Sequence, residues 1–192
     1  MSLGYWETLS SLIGDGTAIT AAVRTSMTVG ATGFRFTLPA NKLKIGDVLH
    51  LKASGRISSV ITTPGTARFD LAFGASLGTA IFDTQAILLD TVAAHTNVGW
   101  ELEIEATVRA MGTAANAMWS GRWTCEDILG VPATAPKGVL VAMLPWNTAP
   151  AVGANFDSTV SNLIDLNFTQ TAATGSCQLH QAVLSLKTST GF

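Results

Sequence analysis

The sequence predicts an all-β protein, a single-domain jelly-roll-type sandwich of about eight to ten antiparallel strands. Many short segments alternate apolar and polar residues, which is the pattern of a strand with one buried face. Turn-forming Gly, Pro, Asn and Asp residues separate these segments. The sequence shows no convincing helical period apart from a short stretch near residues 5–13, which argues against folds that interleave strands and helices.

Three segments alternate most clearly. Residues 98–111 predict a long strand whose apolar side chains line a core while its glutamates face outward. Residues 47–61 predict a second long strand of the same kind. Residues 67–73 predict a third, paired with the second as a hairpin, and the alternation places Asp70 on its outward face.

Further strands are predicted from shorter or less regular patterns. They cover residues 19–27, 33–38, 79–82, 86–89, 118–125 and 139–144. Residues 160–168 and 176–186 are expected to close the chain as a hairpin. Residues 127–160, rich in Ala, Pro and Gly, are expected to form a long loop across one end of the sandwich.

The length of 192 residues fits one domain. We expect residues 17–192 to form the sandwich and residues 1–16 to be an N-terminal arm or its first segment. Residues 1–13 lack the basic and apolar regions of a signal peptide, and the longest apolar stretch, residues 138–145, is too short to span a bilayer. The expectation is a protein made in the cytoplasm, with no membrane as its partner.

The composition favours assembly. Hydrophobic residues make up 47% of the chain and charged residues only 12%, against roughly 25% in typical soluble domains. Charged residues are depleted at the centres of interfaces, so this deficit favours an oligomer whose surface is covered by partners. A surface carried by Thr and Ser is the alternative explanation. The net charge of −2 argues against nucleic acid as a partner.

Motifs for catalysis or metal binding are missing from the sequence. No Gly-x-Ser-x-Gly elbow is present, and His50, His95 and His180 do not share a metal-ligand spacing. Cys125 and Cys177 lack a CxxC spacing and are interpreted as small core residues. The sequence therefore predicts a protein that is not an enzyme, with no catalytic residues, no metal and no cofactor.

Glu101, Glu103 and Glu105 form the most prominent charge cluster. On a strand these carboxylates lie in one row about 7 Å apart, where neighbouring strands can supply cations such as Lys52 or Arg56. A solvated or salt-bridged face is the favoured interpretation. An acid/base pair, as in glycoside hydrolysis, is the alternative.

Trp119 and Trp123 define a candidate binding element. Their spacing places both side chains on one face of a strand, with Arg122 on the opposite face. Trp and Arg are enriched at interfaces, and paired tryptophans also stack sugars or fill cores. A place in the core or in a subunit interface is favoured over a glycan site, and these alternatives stay open.

The N-terminal residues supply another candidate. Tyr5, Trp6 and Leu9 are aromatic and apolar side chains that an arm could use to dock onto a neighbouring subunit or a larger shell. The docking modes are an added strand or an aromatic anchor. The alternative, that these residues are simply the first core segment, is equally supported.

Short blocks spread over most of residues 30–185 resemble a family of phage and prophage structural proteins. The blocks are Phe36–Asp47, Lys52–Ser58, Thr62–Thr66, Trp100–Leu102, Asn155–Thr159 and Gln178–Gln181. They are turn and strand signatures, so the resemblance implies a fold and an origin and carries over no catalytic residue.

The resemblance implies a place on a phage virion, after synthesis in the bacterial host. Its leading form is a capsid decoration (cement) protein that binds the major capsid protein or another virion protein and stabilises the head. By analogy with jelly-roll virion proteins, the chain is expected to form a homotrimer. The alternative is a tail-associated adhesin that recognises a host surface glycan, and a polysaccharide depolymerase is disfavoured.

Overall fold

The computed structural model describes residues 5–29, 34–129 and 139–188 of the chain. In this part of the chain twelve β-strands form two antiparallel sheets that enclose a shared core, and no helix is present. The all-β prediction is confirmed. Residues 5–13, the one stretch with a helical spacing, begin with a strand instead of a helix.

The first sheet, which we call sheet A, contains the longest strands. Its six strands are, in spatial order, β1 (Tyr5–Ser11), β12 (Ser176–Thr188), β4 (Val48–Ser59), β8 (His95–Ala110), β9 (Asn116–Leu129) and β10 (Val139–Leu144). Strands β4 and β8 lie at its centre, where Lys52 stands opposite Glu103. Strands β1 and β10 form the two edges, so the predicted N-terminal arm or first segment enters the fold as an edge strand.

The second sheet, sheet B, is built from shorter strands. Its main strands are, in spatial order, β2 (Thr25–Ser26), β11 (Asn162–Gln170), β5 (Thr66–Phe73) and β6 (Thr79–Asp83). Two short strands extend it: β3 (Phe36–Leu38) pairs with β11, and β7 (Ile87–Leu88) pairs with β5.

The alternation predicted for residues 98–111 is observed in β8. Trp100, Leu102 and Ile104 are buried, while the intervening Glu103 is half-buried and Glu105 is exposed. Successive side chains of a strand point to opposite faces, so the apolar set faces the core and the carboxylates face away from it.

Aromatic rings from both sheets meet at the centre of the core. Phe69 on β5 lies 4.9 Å from Trp100, 5.0 Å from Trp123 and 5.1 Å from Phe168, measured between ring centroids. These tilted and edge-on arrangements are the ones that aromatic pairs prefer. Since Trp100 and Trp123 belong to sheet A and the two phenylalanines to sheet B, this cluster joins the sheets.

Both predicted hairpins are wrong. Strand β4 lies in sheet A and the next strand, β5, in sheet B; likewise β11 lies in sheet B and β12 in sheet A. Each connection therefore crosses from one sheet to the other. Alternation identifies the buried face of a strand, but it cannot say which of two sheets around one core the strand joins.

The predicted long loop over residues 127–160 is also partly wrong. Strand β9 continues to Leu129, and residues 139–144 form the edge strand β10. Residues 130–138 lie outside the described part of the chain. Farther on, Val152 forms an isolated bridge with Met118 of β9.

Candidate binding surface on sheet A

The outer face of sheet B is covered by the protein's own chain. Asp165 on β11 accepts hydrogen bonds from the hydroxyls of Ser26 (2.6 Å), Thr28 (2.7 Å) and Ser76 (2.9 Å). The Asp165 side chain is fully buried, and a buried carboxylate is stable only where such donors replace water. Asp165 therefore ties the chain around β2 and the loop after β5 to the sheet.

Asp70 on β5 ties down the same covering segments. The Nε atom of Arg24 donates to Asp70 at 2.9 Å, and its guanidinium also donates to the carbonyl oxygens of Leu77 (2.8 Å) and Gly78 (2.9 Å). The hydrogen bond to Asp70 raises the pKa of Arg24. The prediction that Asp70 faces outward is correct in direction, but it does not reach solvent because these segments bury it completely.

The outer face of sheet A, by contrast, leaves large apolar side chains in solvent. Trp6 on β1 is 53% exposed, Met143 on β10 is 70% exposed and Val183 on β12 is 40% exposed. Trp and Met are enriched at protein interfaces relative to the rest of the surface. The face therefore has the side-chain types of a contact surface at both of its edges.

Ion pairs occupy the centre of this face. Glu103 accepts hydrogen bonds from His50 Nε2 at 2.9 Å and from Arg122 Nη2 at 2.6 Å, and Lys52 Nζ lies 3.0 Å from Glu101 Oε1. The predicted salt-bridged row of carboxylates is confirmed for these two glutamates. The pairs hold long side chains in fixed positions across three neighbouring strands, β4, β8 and β9.

The environment of Glu103 favours its charged form. The hydrogen bond from His50 and the nearby charge of Arg122 lower the pKa of Glu103, against a smaller opposing effect of burial. A general acid in glycoside hydrolysis needs a raised pKa instead. The charged form of Glu103 suits ion pairing with His50 and Arg122 and does not suit the role of a general acid.

Trp6 is held in place at the edge of the face. Its ring meets the ring of His50 edge-on, with centroids 5.5 Å apart, and Lys187 Nζ lies 5.8 Å from its centroid. A cation near an indole face gains about 0.5–1 kcal/mol at an exposed site. Trp6 is thus an exposed but oriented ring, connected through His50 to the ion pairs at the centre.

The structure separates the six predicted interface residues. Trp6 and Arg122 both lie on the outer face of sheet A, and Leu9 is half-buried against the core. Trp119 (4% exposed) and Trp123 (0%) fill the core, so a sugar or a second subunit cannot reach them in this conformation. The backbone of Tyr5 lies in β1, but its side chain is outside the described part of the chain.

Residues that sequence reasoning did not select complete the face. Met143, Val183 and His50 carry no motif, and their role depends on which strands are neighbours. The alternation already places His50 on the polar face of its strand, so its direction was available from the sequence. The strand register that brings His50 to Glu103 was not available from the sequence.

A shallow depression of about 330 Å³ lies beside Arg122. Its lining combines carboxylate, hydroxyl, guanidinium and thioether groups from Glu103, Glu105, Ser120, Gly121, Arg122 and Met143. No aromatic ring among the described residues lines it. Its groups can exchange hydrogen bonds with a polar ligand, but the depression supplies no stacking platform.

The same described residues also bear on metal, thiol and membrane chemistry. No group of three or more His, Cys, Asp or Glu is arranged to hold a metal ion there. Cys125 and Cys177 are both buried and are not joined to each other, and burial raises the pKa of Cys177 well above its ordinary value. None of the described segments is a helix long and apolar enough to cross a membrane.

Comparisons with known proteins give little guidance. No family model matches the chain, and no curated protein matches it. Among solved structures, the chain is similar to the CBM2 module of the Lactobacillus casei BL23 phage J-1 evolved Dit, at 10% identity over 98% of this chain and 99% of that chain. The TM-score is 0.35, which is too low to relate the two folds.

Proposed function

We propose that this chain is a non-enzymatic structural protein of a phage virion that works through protein–protein contact on the outer face of sheet A. The observation that carries the proposal is the difference between the two outer faces of the sandwich. The protein covers one with its own chain and leaves Trp6, Arg122 and Met143 exposed on the other. These are the side-chain types that dominate interface energetics.

The strand order supports a jelly-roll fold. Setting aside the short strands β3 and β7 and the pair β9–β10 leaves eight strands. Numbered along the chain, they run first–eighth–third–sixth in sheet A and second–seventh–fourth–fifth in sheet B, which is the jelly-roll order. Jelly rolls occur in viral capsid and lectin domains. On this interpretation β9 and β10 are additions that widen the outer face of sheet A and bring Arg122 and Met143 to it.

The virion location rests on the resemblance of residues 30–185 to phage structural proteins. In its finer form, the proposal is a capsid decoration protein whose contacts with the major capsid protein stabilise the head. Buried contact area would then perform the function, in agreement with the low charge of the chain. The predicted homotrimer stays a prediction.

Co-sedimentation with capsids of the source phage tests the proposal. We expect the wild-type protein to pellet with capsids, and Trp6→Ala and Arg122→Ala to weaken this binding at least about tenfold. Ile45→Ala is the control, because Ile45 is 64% exposed in the turn between β3 and β4, outside the strands of sheet A. A wild-type protein that stays in the supernatant and does not self-associate contradicts the proposal.

A tail-associated adhesin is the second candidate, and the depression beside Arg122 favours it. Carboxylate, hydroxyl and guanidinium groups pair well with sugar hydroxyls. However, the predicted tryptophan platform lies in the core, and on the outer face of sheet A the exposed aromatic ring among the described residues is that of Trp6. Binding to a glycan array that Arg122→Ala abolishes, without pelleting on capsids, would establish this candidate in place of the first.

A further inference from the structure

We propose that the outer face of sheet A packs against the same face of a second copy of this chain, around a two-fold axis parallel to β4 and β8. This inference rests on the proposed function and names the partner of the contact surface. Three properties of the face lead to it: the arrangement of its charges, its size and its apolar margins.

The charges of the two central strands are complementary. The outward side chains of β4 include His50, Lys52 and Arg56, whereas those of β8 include Glu101, Glu103 and Glu105, with Arg109 farther along the strand, beyond the residues that pair with β4. A two-fold axis that runs between these strands places β4 of each copy over β8 of the other. The cationic row of one copy then meets the anionic row of its partner, and like charges do not face each other.

The position of the axis also fits the sheet as a whole. Strands β4 and β8 are the third and fourth of six, so an axis between them runs through the middle of sheet A. The same rotation places β12 over β9 and β1 over β10. All six strands then take part in the contact, and the dimer would meet the capsid protein through its other surfaces.

The area matches that of a stable dimer. Six strands about 4.8 Å apart span about 24 Å, and ten residues at about 3.4 Å each span about 34 Å. The face therefore covers on the order of 800 Å², which is about the area that each partner contributes to a standard protein interface. Exposed Val141, Met143 and Val183 add apolar contacts around the charged centre.

The rotation preserves position along the strands, which defines the contacts. In the register, Val183, Lys52, Glu103 and Arg122 follow one another across the sheet in a single row. The neighbouring row contains His50 and Glu105. Lys52 of one copy therefore lies over the partner's Glu103, next to the partner's Glu105.

Charge reversal with complementation tests this geometry. Lys52→Glu adds a negative charge to the β4 row, and Glu103→Lys adds a positive charge to the β8 row. Each variant alone is expected to raise the dimer dissociation constant at least about tenfold, because like charges then meet across the axis. In an equimolar mixture of the two variants the opposite charges face each other again, so a mixed dimer is expected.

Light scattering after size-exclusion chromatography, across a wide range of protein concentration, gives the readout. The wild type is expected at about 40 kDa, twice the 20.0 kDa of the chain, in place of the predicted homotrimer. Lys44→Glu is the control, because Lys44 lies in the turn before β4 and is exposed. Unchanged melting temperatures show that both reversal variants fold.

The outcomes separate the inference from the proposed function. A wild-type monomer or trimer, a dimer that both reversals leave intact, or variants that fail to associate when mixed would each overturn the two-fold dimer. If the wild type is monomeric but pellets with capsids in a manner that depends on Arg122, the proposed function stands and only this inference fails.

Discussion

The two outer faces of the sandwich stabilise their charged side chains in opposite ways. On sheet B, Asp70 and Asp165 are completely buried, and each is satisfied by donors from the segments that cover the sheet. On sheet A, the charged groups form ion pairs with one another and remain partly in solvent. The difference teaches that polar residues on strands can hold covering segments on one face and remain accessible on the other.

The comparison predicts where substitutions affect stability. In the core, and at Asp70 and Asp165 on sheet B, side chains have no access to solvent, so removing them leaves cavities or unsatisfied donors. On the outer face of sheet A, the same residue types are half-exposed, so their removal has a small effect on folding and a large effect on association. Four comparisons test this division.

The largest expected effect contrasts two tryptophans. Trp123→Ala should lower the free energy of unfolding by about 3–5 kcal/mol, because it removes a fully buried ring from the cluster around Phe69. Trp6→Ala should change it by no more than about 1 kcal/mol, since Trp6 is 53% exposed. Urea denaturation measures both, and equal losses would contradict the assignment of Trp123 to the core and Trp6 to the surface.

The second expected effect concerns the segments that cover the outer face of sheet B. Asp165→Ala should cost about 3 kcal/mol, because the buried hydroxyls of Ser26 and Thr28 lose their acceptor and the covering segments lose their attachment. Hydrogen exchange should speed up around β2 and in the loop after β5. Glu105→Ala on sheet A is the matched control, with an expected change within about 0.5 kcal/mol. A similar cost for both carboxylates would remove the distinction between the two faces.

These particular residues also show what the sequence could and could not reveal. Alternation correctly separated the buried and outward residues within β4 and β8, because parity along a strand is a local property, but Ile61, predicted to be buried, lies beyond the end of β4 and is 44% exposed. Alternation could not show that segments distant in sequence, such as the chain around Arg24, would bury Asp70. Nor could it decide whether Trp119 and Trp123 face the core or a partner, since that depends on which side of sheet A is covered.

A smaller expected effect is the pH dependence of the free energy of unfolding. Hydrogen bonding to His50 and the charge of Arg122 lower the pKa of Glu103 in the folded protein below its ordinary value near 4.5. The resulting stabilisation is complete above that value and is lost as the pH falls through the lowered folded pKa. Because the Glu103 side chain is 29% exposed, solvent screening keeps the contribution below about 1 kcal/mol.

Glu103→Gln isolates this contribution. The variant should be slightly less stable than the wild type at neutral pH, and the two unfolding free energies should converge as the pH falls below about 4.5. Urea denaturation from neutral to acidic pH measures the difference. A difference that stays constant over this range would show that the ion pairs on sheet A do not contribute to folding.

The substitution with the smallest expected effect on folding is also the sharpest test of the outer face of sheet A. Met143 is 70% exposed on the edge strand β10, so Met143→Ser should leave the free energy of unfolding within about 0.5 kcal/mol of the wild type. Val160, 51% exposed in the turn before β11, gives a matched control in Val160→Ser. If the outer face of sheet A is the contact surface, Met143→Ser weakens association and Val160→Ser does not. If both variants associate like the wild type, the apolar margin of sheet A is ordinary exposed surface, and the contrast between the two faces concerns folding alone.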